Sequence, residues 1–424
     1  LPITNFLSCT EPLDEFESLS SDQQHHAKTY TTGLVAASNK TVAGIARQVL
    51  PAQGKRAVNK FLTEYDWDED QLNHERLEEL QKHGETRWSQ DGYIIIDDSV
   101  NHKTGKELPG VGEFYDHAEG ETVWGQNLVY AFYADEKTAY PLAFRLYDDD
   151  DDRTKYDLAR EIIAELEDEI GVPADTYLMD SWFIHDSNLI EYIESYNKDW
   201  IGPLRSNRNV TYGGEEISVD TLEERIDKTE REIDDETYKI WTQKRSVSKL
   251  DEVRLLIAEK VTDEEDEENS VRYFASNKID APSEHLIRSY SFRWPVEVFF
   301  EDSKQDLGFG DCEVRHEGGA SRHWHLQMLA YSLLRLGPES NASGTECSSA
   351  SSIQVQLEYA LKEVVYNLLS WVRANSKQAV DDLMEELDHL FLHSNGSEGQ
   401  KDGIPERAKV SPVVSIGSPR RDRE

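Results

Sequence analysis

"YIIIDDSV", residues 93–100, decides the fold: an apolar run breaks off into two acids. A short run with no polar alternation predicts a strand buried on both faces, and the acids predict that its carboxyl end meets solvent. A second stretch of this kind, "DTYLMDSWF" (175–183), also reaches an acid, Asp180. Between them, residues 121–135 and 138–147 are β-branched and aromatic and read as a hairpin joined at "EK". Helices are predicted over 155–169 and "SNLIEYIESYN" (187–197), with a strand in "WIGPLRSN" (200–207). Strands of this order describe a mixed sheet with helices on both faces, whose chemistry gathers at the ends of its central strands.

Beyond this sheet the pattern changes. "NVTYGGEEISV", "YKIWTQKRSVSKL", "VRLLIAEKV" and "VRYFASN" read as short strands around an acidic helix over 221–236, so residues 205–282 form a β-rich insertion. The sheet domain then resumes over 283–337. Residues 338–352 are a Ser/Gly/Asn-rich linker, 353–395 a helical pair, and 396–424 a polar tail expected to be disordered. Residues 1–88 read as helical. Within them Lys40, Arg47, Lys55, Arg56 and Lys60 occur with no acid between, in a chain otherwise crowded with acids. That local excess predicts a small helical DNA-binding domain with its phosphate-facing side kept basic.

Composition narrows the setting. The 424 residues carry 84 acids against 45 Lys plus Arg, a formal charge of −39, yet 38% of them are apolar. A chain with a real core and such a surface fits near-molar salt, where the Debye length is about 3 Å and self-repulsion is screened. The reading is a halophilic, soluble, cytoplasmic protein. No apolar run reaches the ~18 residues a membrane-spanning helix needs, and no basic-then-apolar leader opens the sequence. Cys9, Cys312 and Cys347 lack paired spacing, so neither a disulfide framework nor a zinc site is indicated.

The chemistry is carried by "YSFRWPVEVFFEDSK" (290–304). Tyr290, Arg293, Glu297 and Lys304 follow the spacing Y-x2-R-x3-E-x6-K, which keeps all four on one face of a helix. That face would offer Glu297 to a metal and Arg293 and Lys304 to phosphates, with Tyr290 free to hydrogen-bond or stack. Carboxylates converging from Asp97 or Asp98, from Asp180 and from Glu297 would repel one another without a cation. Hard oxygen donors of this kind suit Mg²⁺ or Mn²⁺, two ions serving the attacking and leaving oxygens of a phosphodiester. Arg205 and Arg208 are placed to reach a phosphate, as are Lys103 and Lys106. Asp148 to Asp152 read as a solvated loop, and His316, His323 and His325 as ordinary helix contacts.

These motifs resemble the DDE transposases of the insertion-sequence-four superfamily, over roughly residues 90–340. The resemblance implies an α/β fold: an RNase H-like mixed five-stranded sheet with a β-rich insertion, flanked by N-terminal and C-terminal helical regions. It implies Asp180 and Glu297 as catalytic metal ligands. The first aspartate is read as Asp98, by the family's frequent D-S form, with Asp97 as the alternative by its D-G-S form. It also implies that Trp294 stacks near a DNA end and offers Trp241, in "KIWTQKR", for a flipped base. The activity implied is cleavage at terminal inverted repeats of double-stranded DNA and joining of the 3′ hydroxyls to target DNA, by a homodimer held through residues 353–395. The rivals are a catalytically silent DNA-binding descendant and a two-carboxylate hydrolase acting on sugars.

Overall fold

Ile94, Ile95 and Ile96 have no accessible surface. Chain that is apolar toward both faces belongs in the middle of a covered sheet, which is where they lie, in strand β1 (Tyr93–His102). The computed structural model describes residues 1–116, 119–261, 271–337 and 352–375. After β1 come β2 (Val111–Asp116), β3 (Glu121–Ala134), β4 (Ala139–Tyr147), β5 (Thr176–Met179), β6 (Asp199–Pro203), β7 (Asn209–Tyr212) and β8 (Glu215–Ser218). Then follow β9 (Thr229–Ile233), β10 (Glu236–Val247), β11 (Leu250–Lys260) and β12 (Val271–Ser276). The first helices are α1 (Ser21–Ala36), α2 (Val42–Gln48), α3 (Lys55–Thr63), α4 (Glu69–Lys82), α5 (Lys155–Ala164) and α6 (Ser187–Ser195). The later ones are α7 (Val219–Glu223), α8 (Ser283–Ser291), α9 (Trp294–Asp306), α10 (Glu317–Leu336) and α11 (Ile353–Asn375).

The described residues divide into two compact units. One comprises 1–87, 100–127 and the described residues from Val298 on; the other comprises 88–99 and 128–297. In the first, Ser20 caps α1 and Gln23 returns a bond to the Ser20 amide, so two helix-end donors are satisfied together. Tyr30 and Leu34 of α1 are buried with Trp324 and Leu326 of α10, and the Tyr30 hydroxyl meets His323 Nδ1 at 2.8 Å. Buried Arg76 of α4 is held by Asn73 and by Ser332 Oγ of α10. His323 is therefore a core hydrogen-bonding group, consistent with its reading from sequence.

The second unit is built on a sheet with the strand order β4-β3-β1-β5-β6-β12-β11-β10-β7-β8, and β9 pairs with β10. β1, β5 and β6 are parallel, with Ile96 level with Met179 and Leu178 level with Ile201. From β6 onward the pairing turns antiparallel, beginning with Ala275 opposite Gly202. Each buried isoleucine of β1 contributes roughly 1.5–3 kcal/mol.

Three expectations need correction. The sheet does not stop at five strands: β12 hydrogen-bonds to β6, so the strands of 205–282 extend the same sheet. The acidic helix over 221–236 is only the short α7 followed by β9, which turns into β10 at Asp234 and Asp235, both at positive φ. Opposed charges at helical spacing lose there to a ladder of strand hydrogen bonds. The run from 290 to 304 is two helices, not one. Pro295 has no amide to offer the Ser291 carbonyl, so α8 ends at Ser291 and α9 starts at Trp294, with Arg293 in the break. Strand β2 went unread. The linker over 338–351, the tail over 396–424 and the helical pair beyond 375 lie outside the described residues.

Candidate active site

β1 and β5 run parallel, and their pairing stops with Ile96 opposite Met179. The next residue on each chain is an acid, Asp97 and Asp180, so the register sets these two level with each other beyond paired strands. Residues at equal height on parallel neighbours project to the same side. Asp180 is fixed by the chain that follows it, because Oδ1 accepts from the amides of Trp182 at 2.9 Å and Phe183 at 3.0 Å. Asp97 Oδ1 accepts from the Asp98 amide at 3.0 Å, and its Oδ2 meets the Arg293 guanidinium.

Arg293 joins two acids. Nη1 binds Asp97 Oδ2, and Nη2 binds Glu297 Oε1 one helical turn on. Its position in the α8–α9 break lets one planar fork reach a strand-borne acid and a helix-borne acid at once. Glu297 sits in the first turn of α9, where the helix dipole favours a carboxylate, and its side chain is 43% exposed. Asp98 faces another cation: Lys155 Nζ, at the start of α5, lies 2.7 Å from its Oδ2. Lys155 also lies 5.4 Å from the Trp182 ring centre, and Trp182 stacks flat on Tyr156 at 4.1 Å. Thus Arg293 serves Asp97 and Glu297, while Lys155 serves Asp98.

Two cations do not neutralise the cluster. Burial pushes the Asp97 carboxyl up to about 7; Arg293 opposes this, and the charges of Asp180 and Asp98 add to it. Asp180 is raised too, first by burial and then by Asp98, against the two amide hydrogen bonds and Arg293. Tyr290 is buried edge-on against Phe274, and burial holds its hydroxyl up at about 12. Uncompensated negative charge on hard oxygen donors is the donor chemistry that suits a divalent cation. Among the described residues no three His, Cys, Asp or Glu side chains are gathered into a metal-binding group, and Arg293 and Lys155 take the acid oxygens instead. The donor types would suit Mg²⁺ or Mn²⁺, and Asp97, Asp98, Asp180 and Glu297 are the residues that could hold such an ion.

The other candidates fall in several places. Trp294 is 53% exposed at the start of α9. Arg205 is exposed and Arg208 buried, with Arg208 Nη1 2.8 Å from His185 Nδ1. Trp241 is half-buried on β10 opposite Ile257, with the Arg245 guanidinium 5.7 Å from its ring centre. Lys304 belongs to the first unit, where Asp116 and Glu119 are its charged neighbours. In that unit Arg47, Lys55 and Arg56 are exposed, and Lys60 pairs with Glu64 at 2.7 Å. Lys40 points inward: its ammonium donates to the Leu34 carbonyl at 2.5 Å, and burial lowers it to about 8. Lys103 donates to the carbonyls of Gly310 and Cys312. Sequence reasoning did not single out Lys155, Trp182, His185 or Lys249. Lys155 opens a capped helix, but nothing in the sequence ties it to an acid 57 residues away.

Compared with known proteins, residues 14–225, half of the chain, match the family described as DDE superfamily endonuclease. The match takes in Asp97, Asp98 and Asp180 and stops short of Tyr290. No curated protein matches the chain. Among solved structures, the NurA nuclease from Sulfolobus solfataricus is similar at 11% identity and a TM-score of 0.24, over 52% of this chain and 79% of that one. A likeness that slight supports no argument.

Proposed function

The chain belongs to the DDE superfamily endonuclease family, and from that premise we propose that it is the transposase of an insertion sequence, of the insertion-sequence-four kind. Its substrate is double-stranded DNA bearing terminal inverted repeats. One observation carries the reading: Arg293 binds Asp97 and Glu297 together while Asp97 stands level with Asp180. The strand order β4-β3-β1-β5-β6 supports an RNase H-like core beneath those acids.

In this reading Asp97, Asp180 and Glu297 are the ligands of Mg²⁺ or Mn²⁺, and Asp98 with Lys155 forms the flank. When bound, the ions supply a more acidic attacking hydroxyl and a stabilised leaving oxygen. The chain's own residues do the rest. Asp180 is oriented by two amides, and Arg293 keeps a strand acid and a helix acid in reach of one phosphate. Water adds to phosphorus and the P–O3′ bond of the attacked strand breaks, a proton of the water passing to the departing O3′, so that strand is left with a 3′ hydroxyl on one side of the nick and a 5′ phosphate on the other. That hydroxyl then attacks a target phosphodiester, exchanging one ester for another. Lys304, Tyr290 and Trp294 are assigned to phosphate, site packing and a DNA end, Trp241 to a flipped base, and the basic side chains of α2 and α3 to the repeats. The domain plan is the one read from sequence except that residues 205–282 prolong the core sheet, and the face of α11 that carries exposed Leu361, Val365, Tyr366 and Leu369 serves the dimer. The magnitude of the charge supports work in near-molar salt.

The test is cleavage of duplexes carrying the element's ends, in molar KCl with Mg²⁺ or Mn²⁺. Asp180→Ala and Glu297→Ala should each cut about a thousandfold more slowly or worse. Parent-like cutting by either sinks the assignment, and a parent that shifts these duplexes in a gel without ever cutting is a silent descendant. Asp97→Asn should fall as far as Asp180→Ala, and Asp98→Asn less; the reverse order makes Asp98 the ligand.

A further inference from the structure

Five residues past Asp180 the chain enters a second, basic place. A cavity of about 230 Å³ is lined by Ser181, His185, Arg205, Arg208, Ser248 and Lys249, among other residues. None of its lining residues is an Asp or Glu, in a chain with 84 acids. Arg208 is 92% buried by its 8% exposure, and its Nε and Nη2 have no hydrogen-bond partner among the described residues. Its backbone is pinned: the amide donates to the Arg205 carbonyl, and its carbonyl accepts from Val219. A guanidinium held this way, with two donors unspent, lacks an acceptor that the pocket itself does not provide.

His185 sharpens the point. Arg208 Nη1 lies 2.8 Å from its Nδ1, and Lys249 Nζ lies 3.4 Å from its Nε2. A neutral imidazole accepts at one nitrogen only, so one of these cations must face an N–H. Burial lowers the His185 pKa, and Arg208, Lys249 and Arg205 lower it further. The one acid acting on it, Asp186, is engaged at the Leu189 amide at 2.7 Å and lies 3.6 Å from Arg160. Lys249 is moreover in the left-handed region at φ 60° in the turn between β10 and β11, where Gly or Asn is usual. An unusual backbone thus carries a third positive group to a place already positive.

We infer that this pocket is a phosphate subsite: it receives a backbone phosphate of the DNA strand lying next to the bond to be cut. Ser181 lines it and directly follows Asp180, so the pocket wall begins one residue along the chain from a site acid. The bound phosphate accepts from Arg208 Nε and Nη2, with Arg205 and Lys249 closing over it. The inference rests on DNA as the substrate and deepens that reading by naming how the strand is anchored.

The full chain is titrated with duplex DNA at several KCl concentrations, as parent, as Arg205→Ala/Lys249→Asn, and as Arg208→Gln. Asparagine keeps the turn comfortable at positive φ, and the double variant alters two surface side chains, so it folds even if Arg208→Gln does not. The double variant should bind about tenfold more weakly at fixed salt, and its log–log salt slope should drop by about one. Uncharged methylphosphonates placed one at a time near the scissile bond should weaken the parent at one position and leave the double variant indifferent there. A slope and phosphonate profile equal to the parent's overturn the subsite. A parent that binds with the phosphonate effect but never cuts refutes catalysis and leaves the subsite standing. Inorganic phosphate that shifts the His185 ring signals by NMR, while duplex binding is untouched by either variant, makes the pocket a free-anion site and overturns the assignment.

Discussion

Arg293 stands between acids that would otherwise repel one another, and its removal has a direction that can be measured. Without the guanidinium, Asp97 keeps its burial and the neighbouring charges of Asp180 and Asp98 but loses the cation that opposes them, leaving only the Asp98 amide hydrogen bond on that side. If cleavage needs the ionised acids, Arg293→Gln should move the acid limb of the pH–rate profile upward and slow cutting at neutral pH by about tenfold or more. An unmoved limb contradicts this account. A second prediction concerns stability. Asp97 and Asp180 are harder to ionise in the folded chain than unfolded, where an Asp titrates near 3.9. For Asp97 the folded state therefore holds an extra proton between pH about 4 and about 7, so its cost is absent below that window and complete above it, and the raised Asp180 adds a cost of the same sign. Asp180→Asn keeps an acceptor for the two amides and removes one charge. At pH 8 without divalent ions it should be more stable than the parent by about 1 kcal/mol, the gain vanishing near pH 4, as read by denaturant unfolding. The spacing of Arg293 and Glu297 was legible in the sequence because it is local. The choice between Asp97 and Asp98 was not, because it depends on which residue of β1 stands level with Asp180, a matter of register between strands.

At the scale of elements, the break between α8 and α9 aims Arg293, and Pro295 makes the break. Pro295→Ala restores an amide that the Ser291 carbonyl can take, so the two helices can merge and swing the guanidinium off its acids. Cutting should fall by about ten- to a hundredfold with the melting temperature nearly unchanged. Equal loss of both would mean that the helix junction is structural only. Pro295 was visible all along, but even spacing of the polar residues outweighed it in the reading. β1 gives the opposite lesson. Three successive isoleucines leave one interpretation, and Ile95→Ala should cost about 2–5 kcal/mol in equilibrium unfolding. The stretch 221–236 misled because its charges recur at helical steps. Its turn signal lay in Asp234 and Asp235, which adopt positive φ without the glycine that usually announces such a hairpin.

Over the whole molecule the charge of −39 dominates. At low ionic strength these charges repel across the surface, whereas at about 1 M salt the screening length shrinks to about 3 Å. Melting temperature should therefore climb steadily as KCl is raised from about 0.1 M to about 1 M, and a flat or falling curve contradicts a high-salt habitat. The sign and size of the charge were plain from composition, and the positions of most strands along the chain were plain from their apolar patterns. The single sheet was not, since nothing local announces that β12 will hydrogen-bond to β6 across some seventy residues. That continuation leaves short, charged strands at its far end. β8 is four residues long with Glu215 and Glu216 exposed, and β9 exposes Glu230, Arg231 and Glu232. Salt that quiets long-range repulsion also makes it easier for bare strand edges of separate molecules to zip together. Such an edge must instead deter its neighbours at contact range, by charges that a docking strand would have to strip of water. In the near-molar salt we propose as its setting, the outlying strands would thus guard the protein against fibres.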